Sequence, residues 1–290
     1  MVIREDKGNL ILEGVKDFNI EQILECGQCF HFEKLGDLDY GLSAYHHLLH
    51  ISQDGDRVTL FNTAREDYES IWRHYFDMDT DYSEIKEKLL KRDKKLEAAM
   101  EAKYGIRILN QEFFETLLSF IISQNKQIPH IKQIVGHISE KYGDYLGIIE
   151  GKKFYSFPNS KQLEGVCESA FRECKAGFRA PYLCDAVAKV ASKEVDGDRL
   201  LKASYKKGME NLMTIKGVGE KVANCVSLFA LGKRSAFPVD VWIKRVMEEN
   251  YLHREMPAKD VEAYGKKRYG ALGGYAQQYL FYYGKSYGKV

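Results

Sequence analysis

The hydrophobic period of this chain changes once, near Asp67, and that change divides it into a sheet and a helical body. Before it, LLHIS and VTLFN flank Gln53-Asp54-Gly55-Asp56. An Asp-Gly pair between apolar runs is a strong hairpin signal, because glycine supplies the positive φ that a tight turn needs. NLILEGV and CFHFEK suit further short strands of an antiparallel sheet. From Asp67 the apolar residues recur at helical spacing. YESIWRHYF reads as helix, and so does SEIKEKLLKRDKKLEAAMEAKYG, ending near Gly105. FFETLLSFIISQN, PHIKQIVGHISEKYG, KQLEGVCESAF and APYLCDAVAKVASKEV follow. YKKGMENLMTI, KVANCVSLFALG, VWIKRVMEENY and AYGKKRYGALGGYAQQYLFYYG complete the run, with Gly- or Pro-marked breaks between them. The expectation is an α+β fold. An N-terminal antiparallel β-sheet domain with helices covers 1–106, and an all-α body covers 107–290.

Composition narrows the class. At 44% hydrophobic and 29% charged, the 290 residues can bury a sizeable core and still present a solvated surface. No apolar run approaches the ~20 residues that span a membrane. MVIREDKGNL carries acids and no apolar core, unlike a secretory signal or transit peptide. Six sparse cysteines read as reduced thiols. Together these predict an intracellular protein, in the cytoplasm or nucleoid of a prokaryote or the nucleus of a eukaryote, acting as a monomer. The net charge of +1 does not advertise nucleic-acid binding, but its distribution is uneven. Residues 1–60 hold 11 acids and 5 bases, whereas 201–247 hold 9 bases and 3 acids. A locally basic face of this kind can bind phosphates.

The chemistry concentrates in Met213 to Met247, MTIKGVGEKVANCVSLFALGKRSAFPVDVWIKRVM. It parses as helix end, tight hairpin, helix, loop, helix, with the helix–hairpin–helix near 205–232. Gly217 and Gly219 bracket Val218, so the backbone can approach a ligand closely. Hairpin N–H groups at a helix N-terminus suit a phosphate and carry no sequence preference. The third glycine of a dinucleotide fingerprint is missing, since Val222 stands there. Lys221 falls in the first turn of the second helix, where the dipole disfavours an ammonium. That favours the neutral amine a nucleophile needs. Nineteen residues later comes PVDV, whose Asp240 precedes an apolar-periodic helix and suits an N-cap. Such a carboxylate can also face the lysine across the hairpin.

K-G-V-G-x-K-V-A-x-C followed by P-V-D-V resembles the helix–hairpin–helix–Gly-Pro-Asp superfamily of DNA glycosylases. Within it, the chain resembles the eukaryotic-type 8-oxoguanine glycosylase family. The likeness is carried also by CGQCFHF, IWRHYFDMD, SFIISQNKQI, GFRAPY and YAQQYLF, in order along nearly the whole chain. It implies a bifunctional glycosylase and AP lyase on double-stranded DNA containing 8-oxoguanine, which flips the damaged base into a pocket. It implies that Lys221 attacks the sugar C1′ to give a Schiff base and that Asp240 stabilises the cationic sugar. By the same resemblance, the carbonyl of Gly27 accepts the N7–H of 8-oxoguanine, Cys225 and Phe281 sandwich the base, and Gln277 reads its Watson–Crick edge. Gln28 is structural. Asn125 fills the gap left by the base, Phe178 is a wedge, and Arg179 reads the orphaned partner. Lys216, Gly217, Val218, Gly219, Trp242 and Lys244 contact the DNA backbone.

Three departures weaken opposite-base recognition. The family's Asn-rich turn is Asn125-Lys126-Gln127 here, a second cytosine-reading arginine is replaced by His130, and a phosphate-contacting histidine by Trp242. A relaxed preference for cytosine opposite the lesion follows.

No cofactor is expected. The four-cysteine iron–sulfur loop of some relatives has no counterpart, because no cysteine follows Cys225. A cation held by backbone carbonyls around Lys216 to Val218 stays open. Cys26-x2-Cys29 lacks the second pair of a zinc site. Asp77-x-Asp79-x-Asp81 has Tyr82 and Lys88 where an EF-hand needs Gly and Glu. His46, His47 and His50 are expected to face solvent without a carboxylate partner. Two other readings remain beside this one: a relative acting on alkylated purines, and a non-catalytic DNA-binding helical protein.

Overall fold

The computed structural model describes residues 1–287. Six strands form one antiparallel sheet: β1 (Val2–Asp6), β2 (Asn9–Glu13), β3 (Phe32–Gly36), β4 (Asp39–Ala44), β5 (His47–Asp54) and β6 (Arg57–Phe61), in the order β1-β2-β6-β5-β4-β3. The expected hairpin joins β5 to β6. Asp54 pairs with Arg57, leaving Gly55, at φ 59°, and Asp56 as a two-residue turn. Along β5, Leu49, Ile51 and Gln53 point inward while their neighbours face out. The buried Gln53 is satisfied: Ile20 N donates to its Oε1 at 2.8 Å and its Nε2 donates to Phe18 O at 2.9 Å. The helix Ile20–Glu25, which the strand pattern obscured, starts at Asn19, whose side chain accepts from Gln22 N at 2.9 Å. The sheet closes on this helix and on Tyr68, Trp72, Tyr75 and Phe76. Those aromatics lie on the helical stretch 65–75 and its C-cap Phe76; the middle turn Tyr68–Trp72 is π.

The expected 83–105 helix is two, Tyr82–Arg92 and Glu97–Ala102, with a short 3-10 turn, Lys94–Leu96, between them. Ile85, Leu89 and Met100 on them, and Leu96 between them, pack into the core of the helical body rather than that of the sheet. Asp93 makes the break. Its Oδ2 accepts from Arg268 Nε at 2.9 Å and from Tyr269 OH at 2.7 Å, and its Oδ1 from Lys95 N at 3.1 Å. Burial alone pushes the Asp93 carboxyl up, but Arg268 and Tyr269 outweigh it and hold it below its ordinary value. We expect Asp93→Ala to lower stability by about 3–5 kcal/mol, because Tyr269 and Arg268 then lose a buried acceptor. The stability that Asp93 contributes is present above the ordinary carboxylate pKa and is lost as pH falls through its lower folded value. Urea melts of both proteins across the acid range test this; a wild-type acid limb unchanged in Asp93→Ala would disprove it.

Four further local readings need correction. KQLEGVCESAF is helical only from Glu168 to Glu173, because Gly165, at φ 76°, turns the chain before it. AYGKKRYGALGGYAQQYLFYYG is two helices, Ala258–Tyr269 and Gly273–Tyr287, separated at Gly270, φ 59°. A second hairpin, β7 (Tyr145–Ile149) with β8 (Lys152–Tyr155), turns at Glu150 and Gly151 inside the region read as helical. Its signal was present, since Glu-Gly sits between apolar runs. His50 and His46 do have carboxylate partners: His50 Nε2 lies 2.8 Å from Asp39 Oδ1, its ring stacking on Phe61 at 4.2 Å, and His46 Nδ1 lies 3.9 Å from Asp144 Oδ2.

Cys26 and Cys29 are buried free thiols, and burial raises the pKa of Cys26 to about 12. Among the described residues no group of three or more His, Cys, Asp or Glu could hold a metal ion, and no helix is long and apolar enough to cross a membrane.

Candidate active site

The helices Tyr205–Leu212 and Glu220–Phe229 flank the hairpin. Val218 N donates to Ile215 O at 3.0 Å, closing the turn. Gly217 has φ 77°, and a Cβ there would stand 2.3 Å from the Tyr182 ring, so glycine alone fits. The hairpin is docked on the helix Ala180–Ala191 by Asp185, whose Oδ2 accepts from Lys216 N at 2.7 Å. Val218 is buried, whereas Lys216 and Gly219 are exposed. Because the N-cap of the second helix is Gly219, the N–H groups of its first turn are left for an outside acceptor.

Lys221 leaves that first turn towards the interior. Its Nζ lies 5.2 Å from the centre of the Phe120 ring and donates to Ser123 Oγ at 3.3 Å. Ser123 Oγ in turn donates to Phe120 O at 2.8 Å, so its proton is committed and it presents a lone pair to the lysine. Asp240 caps the helix Val241–Met247, accepting from Ile243 N at 2.8 Å. Burial raises the pKa of its carboxyl, and the Ile243 N–H and the charge of Lys221 offset part of that rise.

Both side chains open on one pocket. It also holds Gly27, Cys225, Gln277 and Phe281, so six of the expected residues converge there. Phe120, Phe229, Pro238 and Gln278 complete its walls, and neither they nor Ser123 were singled out from sequence. Gly27 has φ 81°, and the Phe281 ring sits 3.4 Å from where a Cβ would stand. The glycine therefore brings backbone and ring face together. Burial raises the Cys225 thiol to about 11, so this wall is neutral. Gln277 is buried, and Gln278 Nε2 donates to its Oε1 at 2.8 Å. The pocket's volume is about 50 Å³, too little for a purine. A base enters only when the walls part. Larger cavities lie elsewhere, such as one of about 640 Å³ between β3, β8 and the helix Ile128–Tyr142, but they hold neither Lys221 nor Asp240.

Gln28 is buried and ties the helix Ile20–Glu25 to the segment 107–109. Its Nε2 donates to Ile23 O and Arg107 O, each at 2.8 Å, and its Oε1 accepts from Leu109 N at 2.9 Å.

The remaining candidates lie outside the pocket. Asn125, at φ 50°, and His130 are exposed, His130 in the first turn of the helix Ile128–Tyr142. Phe178 is 50% exposed. Trp242 is exposed beside Val241, itself 78% exposed. Lys244 is paired with Glu248 at 2.6 Å. Arg179 is placed differently from a surface reader. It is 2% exposed; its Nε and Nη2 both donate to Gln124 O, the former at 2.8 Å, and its Cζ lies 4.2 Å from the Phe178 ring centre. It therefore braces the turn that carries Asn125.

Comparison with known proteins assigns this architecture. Residues 10–117 match the family model "8-oxoguanine DNA glycosylase, N-terminal domain", and 118–270 match "HhH-GPD superfamily base excision DNA repair protein". The N-glycosylase/DNA lyase OGG1 of Arabidopsis thaliana is 30% identical over 273 residues, 88% of this chain and 74% of that protein. The 8-oxoguanine glycosylase/lyase of Clostridium acetobutylicum, solved with double-stranded DNA containing cytosine opposite 8-oxoguanine, superposes with a TM-score of 0.95. It is 39% identical, over 99% of this chain and 98% of that one. MBOgg1 in complex with a low-affinity DNA ligand superposes with a TM-score of 0.96 at 40% identity over 99% of both chains. The chain thus belongs to the 8-oxoguanine DNA glycosylase family of the HhH-GPD base excision repair superfamily, the N-glycosylase/DNA lyases.

Proposed function

We propose that this chain, as a monomer, excises 8-oxoguanine from duplex DNA by attack of Lys221 Nζ on C1′ of the flipped nucleotide. Nζ, as the neutral amine, displaces the base, which leaves with a proton from that nitrogen. The C1′–O4′ bond then opens, O4′ taking a proton from solvent, to give the protonated Schiff base. Loss of the C2′ proton to solvent expels the 3′ phosphate. The observation that supports this most is the meeting of Lys221 and Asp240 on one pocket that also holds Gly27, Cys225, Gln277 and Phe281. Asp240 faces the sugar and stabilises its developing positive charge. The Gly27 carbonyl accepts N7–H, which guanine lacks, so normal guanine opposes a lone pair to that carbonyl. Phe281 swings from Gly27 to stack on the base, with Cys225 on its other face, and Gln277 reads its Watson–Crick edge. Asn125 fills the space that the base vacates, and Phe178 acts as an aromatic wedge. Lys216, the Gly217–Gly219 turn, Trp242 and Lys244 hold the backbone. Borohydride reduction on an 8-oxoguanine duplex should trap a covalent protein–DNA species. Failure to trap on that lesion, with trapping on a duplex carrying a different damaged base, would overturn the assignment.

Opposite the lesion the enzyme still prefers cytosine but tolerates other bases better than a relative with both arginines. His130 cannot reproduce the donor fork of an arginine. Arg179 must release Gln124 O before it reads an orphaned base. His130→Arg should raise the cytosine preference by about 5- to 100-fold, the effect of one added base contact. The measurement is single-turnover excision from four duplexes that differ only in the opposite base; equal preferences in wild type and variant would remove His130 from this role.

A further inference from the structure

The reacting end of Lys221 has one hydrogen-bond partner among the described residues, Ser123 Oγ at 3.3 Å. The Phe120 ring beside it, 5.2 Å from Nζ to its centre, offers a face and no directional acceptor. A lysine stem is long and flexible, so an amine without a fixed partner samples many positions. Which groups fix Ser123 therefore matters for where the amine stands.

Ser123 is held from several sides. It is the C-cap of the helix Phe113–Ile122, and its N–H donates to Ser119 O at 2.9 Å. Its hydroxyl proton goes to Phe120 O. The Phe120 ring is itself clamped, stacking at 5.5 Å and 12° on Phe229 from the helix that carries Lys221. Lys126 N donates to Ser123 O at 3.3 Å and closes a four-residue turn. Asn125, at φ 50°, is the third residue of that turn, a place where asparagine tolerates a positive φ. Arg179 grips the second through Gln124 O. One braced turn thus carries both the oxygen that holds the amine and, two residues on, the side chain proposed to fill the gap in the DNA.

We propose that Ser123 is a positioning residue for base excision. Its proton is committed, so its Oγ accepts from the amine and gives nothing back. A neutral amine that donates one N–H to Oγ turns its lone pair away from that oxygen and keeps it for C1′. The turn makes the placement of Asn125 in the gap and the aim of the amine parts of one rigid unit. This rests on Lys221 being the nucleophile. The two reactions of Lys221 differ in how much aim they need. C1′ of an intact nucleotide is fixed in the sugar ring and must be approached along a defined line, whereas the ring-opened abasic sugar presents a mobile aldehyde. Losing the anchor should cost the first reaction more than the second.

The test compares the full-length wild type with Ser123→Ala, Ser123→Cys and Ser123→Thr. Two single-turnover rates are measured for each, excision of 8-oxoguanine and borohydride trapping on a preformed abasic site. Alanine removes the acceptor. Cysteine nearly keeps the shape with a weak acceptor, and carries the test if alanine prevents folding; threonine restores the hydroxyl. The alanine and cysteine variants should slow excision by about 10- to 100-fold, the range from one lost hydrogen bond to a misplaced reacting group. They should slow trapping by no more than about threefold, and threonine should bring the ratio of the two rates back to within about threefold of wild type. Loss of folded protein lowers both rates together, so an unchanged ratio in the alanine and cysteine variants would overturn the proposal. A threonine ratio as low as that of alanine would overturn it too, because the site would then need the shape of serine and not its oxygen. A wild type inactive on 8-oxoguanine, or giving no borohydride adduct, is a different failure: it removes the reading of the substrate or of Lys221, and this inference with it.

Discussion

Lys221→Gln is expected to give no borohydride-trapped species and to slow 8-oxoguanine excision by at least about three orders of magnitude, because the amine is the only group proposed to bond C1′. The substitution is mild for the fold. Lys221 sits in the first turn of its helix, and its contacts are one hydrogen bond to Ser123 and the face of Phe120. Glutamine is a good helix former and can still donate to Ser123 Oγ. Affinity for an 8-oxoguanine duplex should therefore survive, since the hairpin backbone, Phe281 and Gln277 are untouched. Binding retained without trapping isolates the covalent step. Robust trapping by the variant would move the nucleophile to another amine.

Asp240→Asn should slow excision by about 10²–10³-fold, the typical cost of one charge-stabilising group aimed at a transition state. Asparagine caps helices as well as aspartate does, so the bond to Ile243 N and the helix Val241–Met247 should persist. The variant thus removes the charge and keeps the cap. A variant with the wild-type single-turnover rate would reduce Asp240 to a helix cap. The pH dependence provides a second readout. Burial raises the Asp240 pKa, so the wild-type rate should fall on the acid side with a midpoint above the ordinary carboxylate value. Asp240→Asn should lack that limb. Unfolding does not mimic it, because a carboxyl raised by folding is easier to protonate in the folded state. Asp240 therefore adds stability, rather than removing it, as pH falls through its pKa.

Folding of local segments was legible in the chain wherever a few consecutive residues determine it. The β5–β6 hairpin follows from Asp54-Gly55, and the bend at the candidate site from Gly217 and Gly219. The capping of Val241–Met247 follows from Asp240. Each depends on backbone freedom or on a hydrogen bond a few residues away. The breaks at Asp93, Gly165 and Gly270 were not read, although two of the three are glycines. Strong helical periodicity on both sides outweighed single residues whose turn conformations are set by packing. The resemblance to a glycosylase family supplied the names Gly27, Gln277 and Phe281, but no spacing in the chain places them together.

Tertiary structure alone decided the rest. Ser123 reaches Lys221 across 98 residues. Gln278 holds the Oε1 of Gln277 beside it, and Arg179 faces inward to a carbonyl of the Asn125 turn. An amphipathic pattern states which face of a helix is buried but not what that face meets. A buried polar side chain takes its partner from chain segments distant in sequence, so its orientation, and with it the donor or acceptor that a ligand encounters, exists only once the helices have packed.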